Sequence, residues 1–373
     1  MRLKAGKYLI DNIEQQELEG FAFQIGLIEL ISYWKAFCSP GIMVRSYALS
    51  EKQQQWWRKL YYNGLGEFFY QNGLNPTMEE FVRFDFADDA PGMDTLDYFR
   101  TADSTSVLVP IGGGKDSVVT LEHLRREKRV VPFIINPRGA TSECARIAGF
   151  PNESDIVILK RQIAPELLEL NAAGFLNGHT PFSAMLAFYT LLAGRLTGIR
   201  DIALSNESSA NEPTIPGTKI NHQYSKSLEF EEDFRTYVRE NMNDCGHYFS
   251  YLRPHNELWI AEQFAQYEQY HLVFKSCNAG SKEDKWCCNC SKCLFAYIIL
   301  SPFIEDEKMQ MIFGDDLLDR PDLQTYFDEL TGIAENKPFE CVGTLEEVNE
   351  AIRRILPTRG DKFLLKHYQQ VKH

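Results

Sequence analysis

The sequence has little positive charge and no long uninterrupted hydrophobic run. Its 373 residues include 39 Lys and Arg against 52 Asp and Glu, a formal net charge of −13. Because nucleic-acid binding depends on clustered basic side chains, this balance argues against a nucleic-acid partner. The most hydrophobic segment, FAFQIGLIELISYWKAF from Phe21, is interrupted by Gln24, Glu29 and Lys35, whereas a membrane span needs about 20 apolar residues in succession. We therefore expect a buried helix there and no membrane partner.

Two further features bear on the cellular compartment. The first residues, MRLKAGKYLIDN, lack the apolar core of a signal peptide. The nine cysteines are an odd number, and five of them crowd between Cys277 and Cys293. Without a secretion signal, this clustering favours metal binding over a disulfide framework. We expect a cytoplasmic protein, whose oligomeric state the sequence leaves unknown.

Residues 1–102 are rich in aromatic side chains and include the adjacent Trp56 and Trp57. Exposed tryptophans can stack on a base or a sugar. Aromatic side chains that pack a helix onto the next domain are the more common case. We therefore expect Trp56 and Trp57 to serve packing.

From Ser106 onward, apolar runs alternate with helical patterns. Strands are predicted over residues 106–111, 130–136, 155–160 and 201–207, and helices over 116–128, 142–148 and 181–198. This alternation predicts an α/β fold, a parallel sheet with helices on both faces. Ligands of such sheets bind beyond the carboxyl ends of the strands, where the loops after Ile111 and Ser205 lie. After Glu229 the patterns are largely helical.

The stretch VPIGGGKDSVVTLEHL places three consecutive glycines between the first predicted strand and the next helix. Glycines at a strand end remove the side chains that would hold a ligand away from the backbone. Successive amides and a helix N-terminus form an anion cradle, to which Lys115 adds a positive charge. A βα turn without a ligand is the alternative. The strand before and the helix after favour a phosphate site.

This glycine loop matches neither the Walker A pattern nor the dinucleotide-binding fingerprint, because Lys115 is followed by Asp116 and position 117 is serine. It resembles the PP-loop, S-G-G-x-D-S, of the ATP pyrophosphatase superfamily, whose members cleave ATP between the α and β phosphates and adenylate a substrate oxygen. The resemblance implies ATP as ligand, with Mg²⁺ near Asp116. The residues that it assigns to the nucleotide are Gly112, Gly113, Gly114, Lys115, Asp116 and Ser117. The superfamily's leading serine is Gly112 here, which removes one hydroxyl donor.

A cluster of cysteines lies late in the chain. Cys277, Cys287, Cys290 and Cys293 are separated by nine, two and two residues, and four thiolates at such spacings suit a closed, structural Zn²⁺ site. Cys288 is left over. An iron–sulfur cluster and unliganded buried thiols are the alternatives. A similar C-x8-C-x2-C-x2-C cluster occurs in 7-cyano-7-deazaguanine synthase, a PP-loop enzyme.

The loop after the fourth strand, SNESSANEPTIPGTKINHQYSKSLEFEEDF, is long and polar. The candidates for binding Mg²⁺ or substrate hydroxyls are Asn206, Glu207, Ser208, Asn211 and Glu212. The candidates for a general acid, a general base or a cation in catalysis are His222, Tyr224, Ser225 and Lys226. A solvated surface loop is the default interpretation. A polar loop of this length at a strand end favours function.

Taken together, these motifs resemble the MurL family of UDP-N-acetyl-α-D-muramoyl-L-alanyl-L-glutamate epimerases. The resemblance covers residues 21–303 and rests on the PP-loop, on NGHTPFSAML, on SNESSANE and NHQYSKSLEFE, and on the cysteine cluster. It implies a UDP-linked muramoyl dipeptide as substrate, a step in peptidoglycan precursor synthesis. His179, within NGHTPF, is at least as consistent with a capping or structural role.

We divide the chain into three parts on this basis. Residues 1–102 form an aromatic-rich region that is a candidate for substrate binding, and residues 103–245 form the PP-loop domain. Residues 246–373 form a helical part with the cysteine cluster.

The implied reaction inverts the terminal L-glutamate to D-glutamate and consumes ATP to AMP and diphosphate. Since two such diastereomers have similar free energies, the role of ATP must be kinetic. Adenylation of the carboxylate removes its charge, so that a base can take the α-proton. Asp116 and Lys115 are assigned to adenylation, and Glu207, His222 and Lys226 are the candidate bases.

Three other functions fit part of the pattern. An amide- or nitrile-forming ligase would use the same adenylation, and a tRNA-modifying enzyme is disfavoured by the acidic charge. A non-catalytic nucleotide-binding scaffold is the alternative of a different class.

Overall fold

The computed structural model describes residues 1–10, 13–93, 96–100, 103–215 and 217–372. Its centre is a six-stranded sheet, whose strands in spatial order are β1 (Arg2–Lys4), β6 (Val157–Lys160), β5 (Arg129–Ile135), β4 (Asp103–Pro110), β7 (Ile199–Leu204) and β8 (His247–Ser250). Strands β4 to β8 are mutually parallel, and β1 pairs with β6 in antiparallel orientation. A small second sheet pairs β2 (Gly41–Val44) with β3 (Arg83–Phe86).

Fourteen α-helices are assigned in the described residues. In chain order they are α1 (Gln15–Trp34), α2 (Glu51–Gly64), α3 (Gly66–Gln71), α4 (Lys115–Leu124), α5 (Gly139–Ile147), α6 (Pro165–Ala172), α7 (Phe182–Thr197), α8 (Leu228–Asn241), α9 (Glu257–Ala265), α10 (Ser291–Leu300), α11 (Asp306–Phe313), α12 (Gln324–Thr331), α13 (Leu345–Arg359) and α14 (Phe363–Lys372). Among these helices none combines the length and the apolar character needed to cross a bilayer.

The strands separate two hydrophobic cores. Alternate residues of a strand point to opposite faces, and Val107 and Val109 accordingly pack with α4, α5, α9 and α10. Leu108 packs on the other face with α1, α2, α7 and α8. The α/β fold with helices on both faces, predicted from the alternating pattern, is confirmed.

The aromatic residues of the N-terminal region pack against the sheet's helices. Trp57 is fully buried and stacks on Phe188 of α7 at a centroid distance of 5.2 Å. Trp56 stacks on Tyr237 of α8 at 4.1 Å. The packing interpretation of both tryptophans is confirmed. The N-terminal region shares a core with the sheet, while the division at residue 102, which lies outside the described residues, stays a prediction.

The region after Glu229 is largely helical, as expected, and contains α8 to α14. Strand β8, a fifth parallel strand beside β7, was not predicted. Its four residues, HYFS, are too few to show a clear alternation, and their pairing with β7 rather than their own pattern makes them a strand.

The topology brings two loops together. From β4 the chain proceeds outward to β5 and β6, and it then returns to β7 on the other side of β4. Strand order therefore reverses between β4 and β7, which is where open α/β sheets bind ligands. The glycine loop follows β4, and the polar loop follows β7.

Candidate active site

The glycine loop has little freedom at its middle residue. Gly113 has φ +84°, and a Cβ there would lie 3.0 Å from the Cβ of Ala140. Its carbonyl accepts a hydrogen bond of 2.8 Å from the Lys275 amide. Gly112 differs, since a Cβ there would meet nothing within 4 Å. The serine that the PP-loop superfamily carries at this position would fit.

The amides of the glycine loop are available to a ligand. Within the part of the chain that the structure describes, the N–H groups of Gly112, Gly113 and Gly114 donate to no acceptor. Gly114 is the N-cap of α4, and the hydroxyl of Ser117 donates to the Gly114 carbonyl at 2.9 Å. Unpaired amides at a helix N-terminus suit an anion, so the loop fits the phosphate groups of a nucleotide.

Buried charges surround Lys115. Its ammonium donates to carboxylate oxygens of both Asp116 and Glu257, the latter on α9. Burial lowers the pKa of Lys115, but the two carboxylates outweigh this and raise it above its ordinary value. Burial, with Asp116 and Glu207 nearby, raises the pKa of Glu257 although Lys115 opposes the shift. The ammonium groups of Lys226 and Lys292 also lie near Asp116, so several cations balance the buried carboxylates of this group.

A cavity opens beside the glycine loop, at the carboxyl ends of β4 and β5. It has a volume of about 300 Å³. Its lining includes Ile111, Gly112 and Phe133 together with the guanidinium-bearing Arg138 and Arg161. Arg161 is paired with Glu29, and apolar side chains beside the Arg138 guanidinium suit a nucleoside that carries phosphates.

The polar loop after β7 is held in place by several of its own residues. Asn206 donates to the Ser250 hydroxyl at 3.0 Å, and the Asn211 oxygen accepts from the Leu228 amide at 2.8 Å. Glu212 pairs with Lys337. These contacts position the loop and leave the assignment of Asn206, Asn211 and Glu212 to substrate a prediction.

Glu207 and Lys226 lie close in space although 19 positions apart in sequence. Arg253 joins them by donating to the Glu207 carbonyl at 2.8 Å and to the Lys226 carbonyl at 2.6 Å. The Glu207 carboxylate is buried and accepts from the Ser209 hydroxyl at 3.3 Å. Ser208 begins a short 3-10 turn, and its amide donates to the His255 carbonyl at 3.2 Å. The Ser205 hydroxyl is buried without a partner among the described residues.

His222 forms an ion pair that the sequence did not predict. Its Nδ1 bonds to the carboxylate of Glu67 on α3. Burial lowers the pKa of His222, but Cys341 and Glu67 outweigh this and raise it to about 9. The N-terminal region thus contributes a carboxylate to the group of residues predicted from the polar loop.

Cys341 is a second residue that sequence reasoning missed. It lies between α12 and α13, and its thiol interacts with His222 and Lys226. Burial raises the pKa of Cys341, but Lys226, His222 and Lys292 outweigh this and lower it to about 6. The available signal was an isolated cysteine outside the metal-like cluster, in PFECVG.

His179 lies beside the same ion pair. Its Nδ1 is 3.5 Å from the Glu67 carboxylate, and its ring centroid is 4.4 Å from that of His222. Burial, His222 and Lys35 lower the pKa of His179 to about 3. It is therefore neutral at physiological pH. The N-cap of α7 is Pro181, so His179 does not occupy the capping position.

The four cysteines predicted to bind metal converge. The sulfur atoms of Cys277, Cys287, Cys290 and Cys293 all lie within 4.8 Å of one another, and two of the separations are 3.5 and 3.7 Å. Sulfurs around a tetrahedral Zn²⁺ at about 2.3 Å per bond would be about 3.8 Å apart, so the four thiols fit one metal ion. Cys288 turns away, and its thiol bonds to the Phe313 carbonyl at 3.1 Å.

The cysteine cluster adjoins the glycine loop. Lys275, whose amide bonds to Gly113, lies two residues before Cys277. A metal that fixes Cys277 would therefore stabilise the chain segment that holds the loop.

Sequence comparisons identify relatives over nearly the whole chain. A family model described as the MurL N-terminal domain matches residues 1–251, and one described as the MurL C-terminal domain matches residues 273–371. A Xanthomonas oryzae pv. oryzae protein named UDP-N-acetyl-alpha-D-muramoyl-L-alanyl-L-glutamate epimerase is 36% identical over 345 residues, 90% of this chain and 74% of that protein. Proteins of the same name from Salinispora tropica and Micromonospora sp. are each 36% identical over 326 residues. These matches cover 85% of this chain, and 69% and 70% of the relatives.

Proposed function

The chain belongs to the MurL family of UDP-N-acetyl-α-D-muramoyl-L-alanyl-L-glutamate epimerases, and we propose that it inverts the terminal glutamate through an adenylated intermediate made at the glycine loop. The observation that carries this mechanism is the row of unpaired amides at Gly112, Gly113 and Gly114, which ends at the N-terminus of α4. The substrate is a small nucleotide-linked dipeptide, and the reaction requires no nucleic acid or membrane.

The nucleotide is ATP, oriented with its diphosphate on the loop amides and its nucleoside in the cavity lined by Phe133 and Arg138. A carboxylate oxygen of the glutamate attacks the α-phosphorus, the bond to the β-phosphate oxygen breaks, and diphosphate leaves. Lys115 neutralises charge on the leaving group. This cradle acts where negative charge develops, which is how such donors accelerate a reaction.

Asp116 is the carboxylate that would hold Mg²⁺, together with phosphate oxygens of the nucleotide. Bound magnesium would neutralise phosphate charge during adenylation. The fit rests on the position of Asp116 at the N-terminus of α4, where its partly exposed carboxylate lies beside the glycine loop.

Adenylation prepares the α-carbon for proton loss. The free carboxylate resists deprotonation next to it, because the carbanion would place a second negative charge beside the first. Once the carboxyl group is esterified to AMP, its carbonyl oxygen can accept the electron pair. Removal of the α-proton, protonation on the opposite face and hydrolysis by water then give the D-epimer and AMP.

The protonation states of the three predicted bases indicate which of them can accept a proton at neutral pH. His222 has a pKa of about 9, and the pKa of Lys226 is raised because Cys341 and Glu207 outweigh the effect of burial. Both are cations at neutral pH, so they fit proton donation or stabilisation of the enolate oxygen rather than proton removal. Glu207 is buried near Glu257 and Lys226, which places its negative charge beside the Lys226 ammonium.

The four-cysteine site holds a structural Zn²⁺ in this proposal. Four thiolates leave no open coordination position, and the first of them, Cys277, follows two residues after Lys275, the partner of Gly113. A cytoplasmic location is also part of the proposal, since ATP is available there.

The direct test is incubation with ATP, Mg²⁺ and UDP-linked muramoyl-L-Ala-L-Glu, followed by resolution of the glutamate configuration. Reaction in D₂O should place deuterium at the α-carbon of the product. The variant Asp116→Ala should abolish AMP formation, whereas Asp88→Ala, at an exposed position, should keep it. AMP formation at the normal rate by Asp116→Ala would refute the role of that carboxylate.

A further inference from the structure

We propose that Cys341 is the base that removes the proton from the glutamate α-carbon, with His222 and Glu67 as positioning residues. The inference rests on the proposed function, since it requires an adenylated substrate. The proposal assigns removal of the α-proton, a step for which Glu207, His222 and Lys226 are poorly suited.

Three contacts hold the segment that carries Cys341 against the polar loop. The Lys292 ammonium donates to the Cys341 carbonyl, and the side-chain amide of Gln223 donates to the Val342 carbonyl at 3.0 Å. Lys337 on the same segment pairs with Glu212. The backbone of Cys341 is therefore fixed from α10 and from the polar loop, as a group that acts on a substrate atom must be.

The thiol belongs to a connected series of side chains. Cys341 interacts with His222, and the Nδ1 of His222 bonds to Glu67. A cysteine, a histidine and an orienting carboxylate in this order are the arrangement that activates a thiol. The charged groups that face Cys341 are Lys226 and His222 on the polar loop and Lys292 on α10.

Cys341 differs in charge from Cys38 and Cys144, which lie outside the four-cysteine cluster. Its pKa of about 6 makes it a thiolate at neutral pH. Burial raises the pKa of Cys144 to about 12, and it also raises that of Cys38. Cys341 is partly exposed and surrounded by cations, which is the environment of a reactive thiol. Cys341 therefore combines an available lone pair with partial exposure.

The step is a proton transfer without a change of oxidation state. The Cys341 sulfur takes the α-proton, and the electron pair of the broken C–H bond forms a double bond to the carboxyl carbon. The carbonyl oxygen takes the negative charge, close to the Lys226 ammonium. Water or an ammonium group protonates the opposite face, and the thiol then returns its proton to solvent through its exposed side.

The test separates adenylation from proton removal. Wild-type protein, Cys341→Ala and the control Cys38→Ser are incubated with ATP, Mg²⁺ and the UDP-linked L-Ala-L-Glu substrate in D₂O. Exchange of labelled diphosphate into ATP reports adenylation. Deuterium at the α-carbon, in both recovered substrate and D-epimer, reports proton removal. Cys38 is a partly exposed cysteine of the N-terminal region, and its thiol bonds to the Lys35 carbonyl. Its substitution therefore controls for the loss of a thiol away from the polar loop.

Cys341→Ala should retain diphosphate exchange and lose α-deuteration by about 10²- to 10⁴-fold, the usual contribution of a general base. The Cys38→Ser control should match wild type in both assays. Retention of α-deuteration by Cys341→Ala would overturn the proposal, as would equal loss of exchange and deuteration. A substrate thioester on Cys341, found by intact-protein mass spectrometry, would assign the thiol as a nucleophile and likewise overturn it. Absence of diphosphate exchange in wild type would instead contradict the proposed adenylation.

A second measurement tests the positioning residues. The rate of Cys341 alkylation by iodoacetamide, followed by peptide mass spectrometry, should rise with pH through a midpoint near 6. In His222→Ala and Glu67→Gln the midpoint should move upward, because the cation beside the thiolate is lost or loses its partner. An unchanged midpoint in both variants would show that neither residue acts on the thiol.

Discussion

Substitution of Gly113 by alanine tests whether the loop's shape, rather than its flexibility, makes the nucleotide site. Gly113 has φ +84°, and an added Cβ would lie 3.0 Å from the Ala140 Cβ and 3.2 Å from the Thr141 nitrogen. The left-handed conformation costs an alanine about 1–2 kcal/mol, and overpacking adds about 1–3 kcal/mol. We expect Gly113→Ala to destabilise the protein by about 2–5 kcal/mol unless the loop moves.

Movement of the loop would relieve the clash and displace the amides. Since misplacement by about 1 Å can cost about 10²-fold in rate, AMP formation should fall by about that factor even in the folded variant. The matched control is Gly112→Ser, which enters open space and should change stability by less than about 0.5 kcal/mol.

The assays are the urea midpoint of unfolding without ligand and the rate of AMP formation with substrate. Gly112→Ser should keep both near wild type. The reasoning is refuted if Gly113→Ala retains wild-type stability and wild-type AMP formation, because the backbone would then tolerate a side chain where the structure leaves no room.

Two further predictions concern the metal and the pH profile. One zinc per chain should be found by elemental analysis, lost in Cys290→Ser and kept in Cys288→Ser; zinc retained in Cys290→Ser would contradict the assignment. Epimerisation should require both members of the thiolate–imidazolium pair. The pKa of Cys341 is about 6 and that of His222 about 9, so kcat/KM should fall below pH 6 and above pH 9. In Glu67→Gln the fall of kcat/KM on the alkaline side should begin at a lower pH, because His222 loses its carboxylate partner. An unchanged alkaline pKa would contradict the ion pair.

The same pKa values fix the pH range in which this pair stabilises the fold. The pKa of His222 is raised from about 6.5 to about 9, so its contribution is present below pH 6.5 and lost as the pH rises through 9. The pKa of Cys341 is lowered from about 8.5 to about 6, so its contribution is present above pH 8.5 and lost as the pH falls through 6. The pair is therefore charged on both sides between about pH 6 and 9.

The local elements were predictable because they depend on neighbours in sequence. A buried strand, three glycines and a helix start lie within 16 consecutive residues, and the spacing of four cysteines within 17. The structure places both as expected, and it turns Cys288 away from the other thiols. The strand β8 was missed because its four residues become a strand only by pairing with β7.

The sequence by itself determined the α/β alternation, the glycine turn between β4 and α4 and the convergence of the cysteines, since each is a short-range pattern of apolar spacing, bare backbone or ligand spacing. Only the tertiary structure decided which side chains carry charge and which can act as a base. Glu67, His222 and Cys341 are separated by 155 and 119 positions in the chain. Their pKa values arise from through-space fields and burial, and no run of neighbouring residues encodes those.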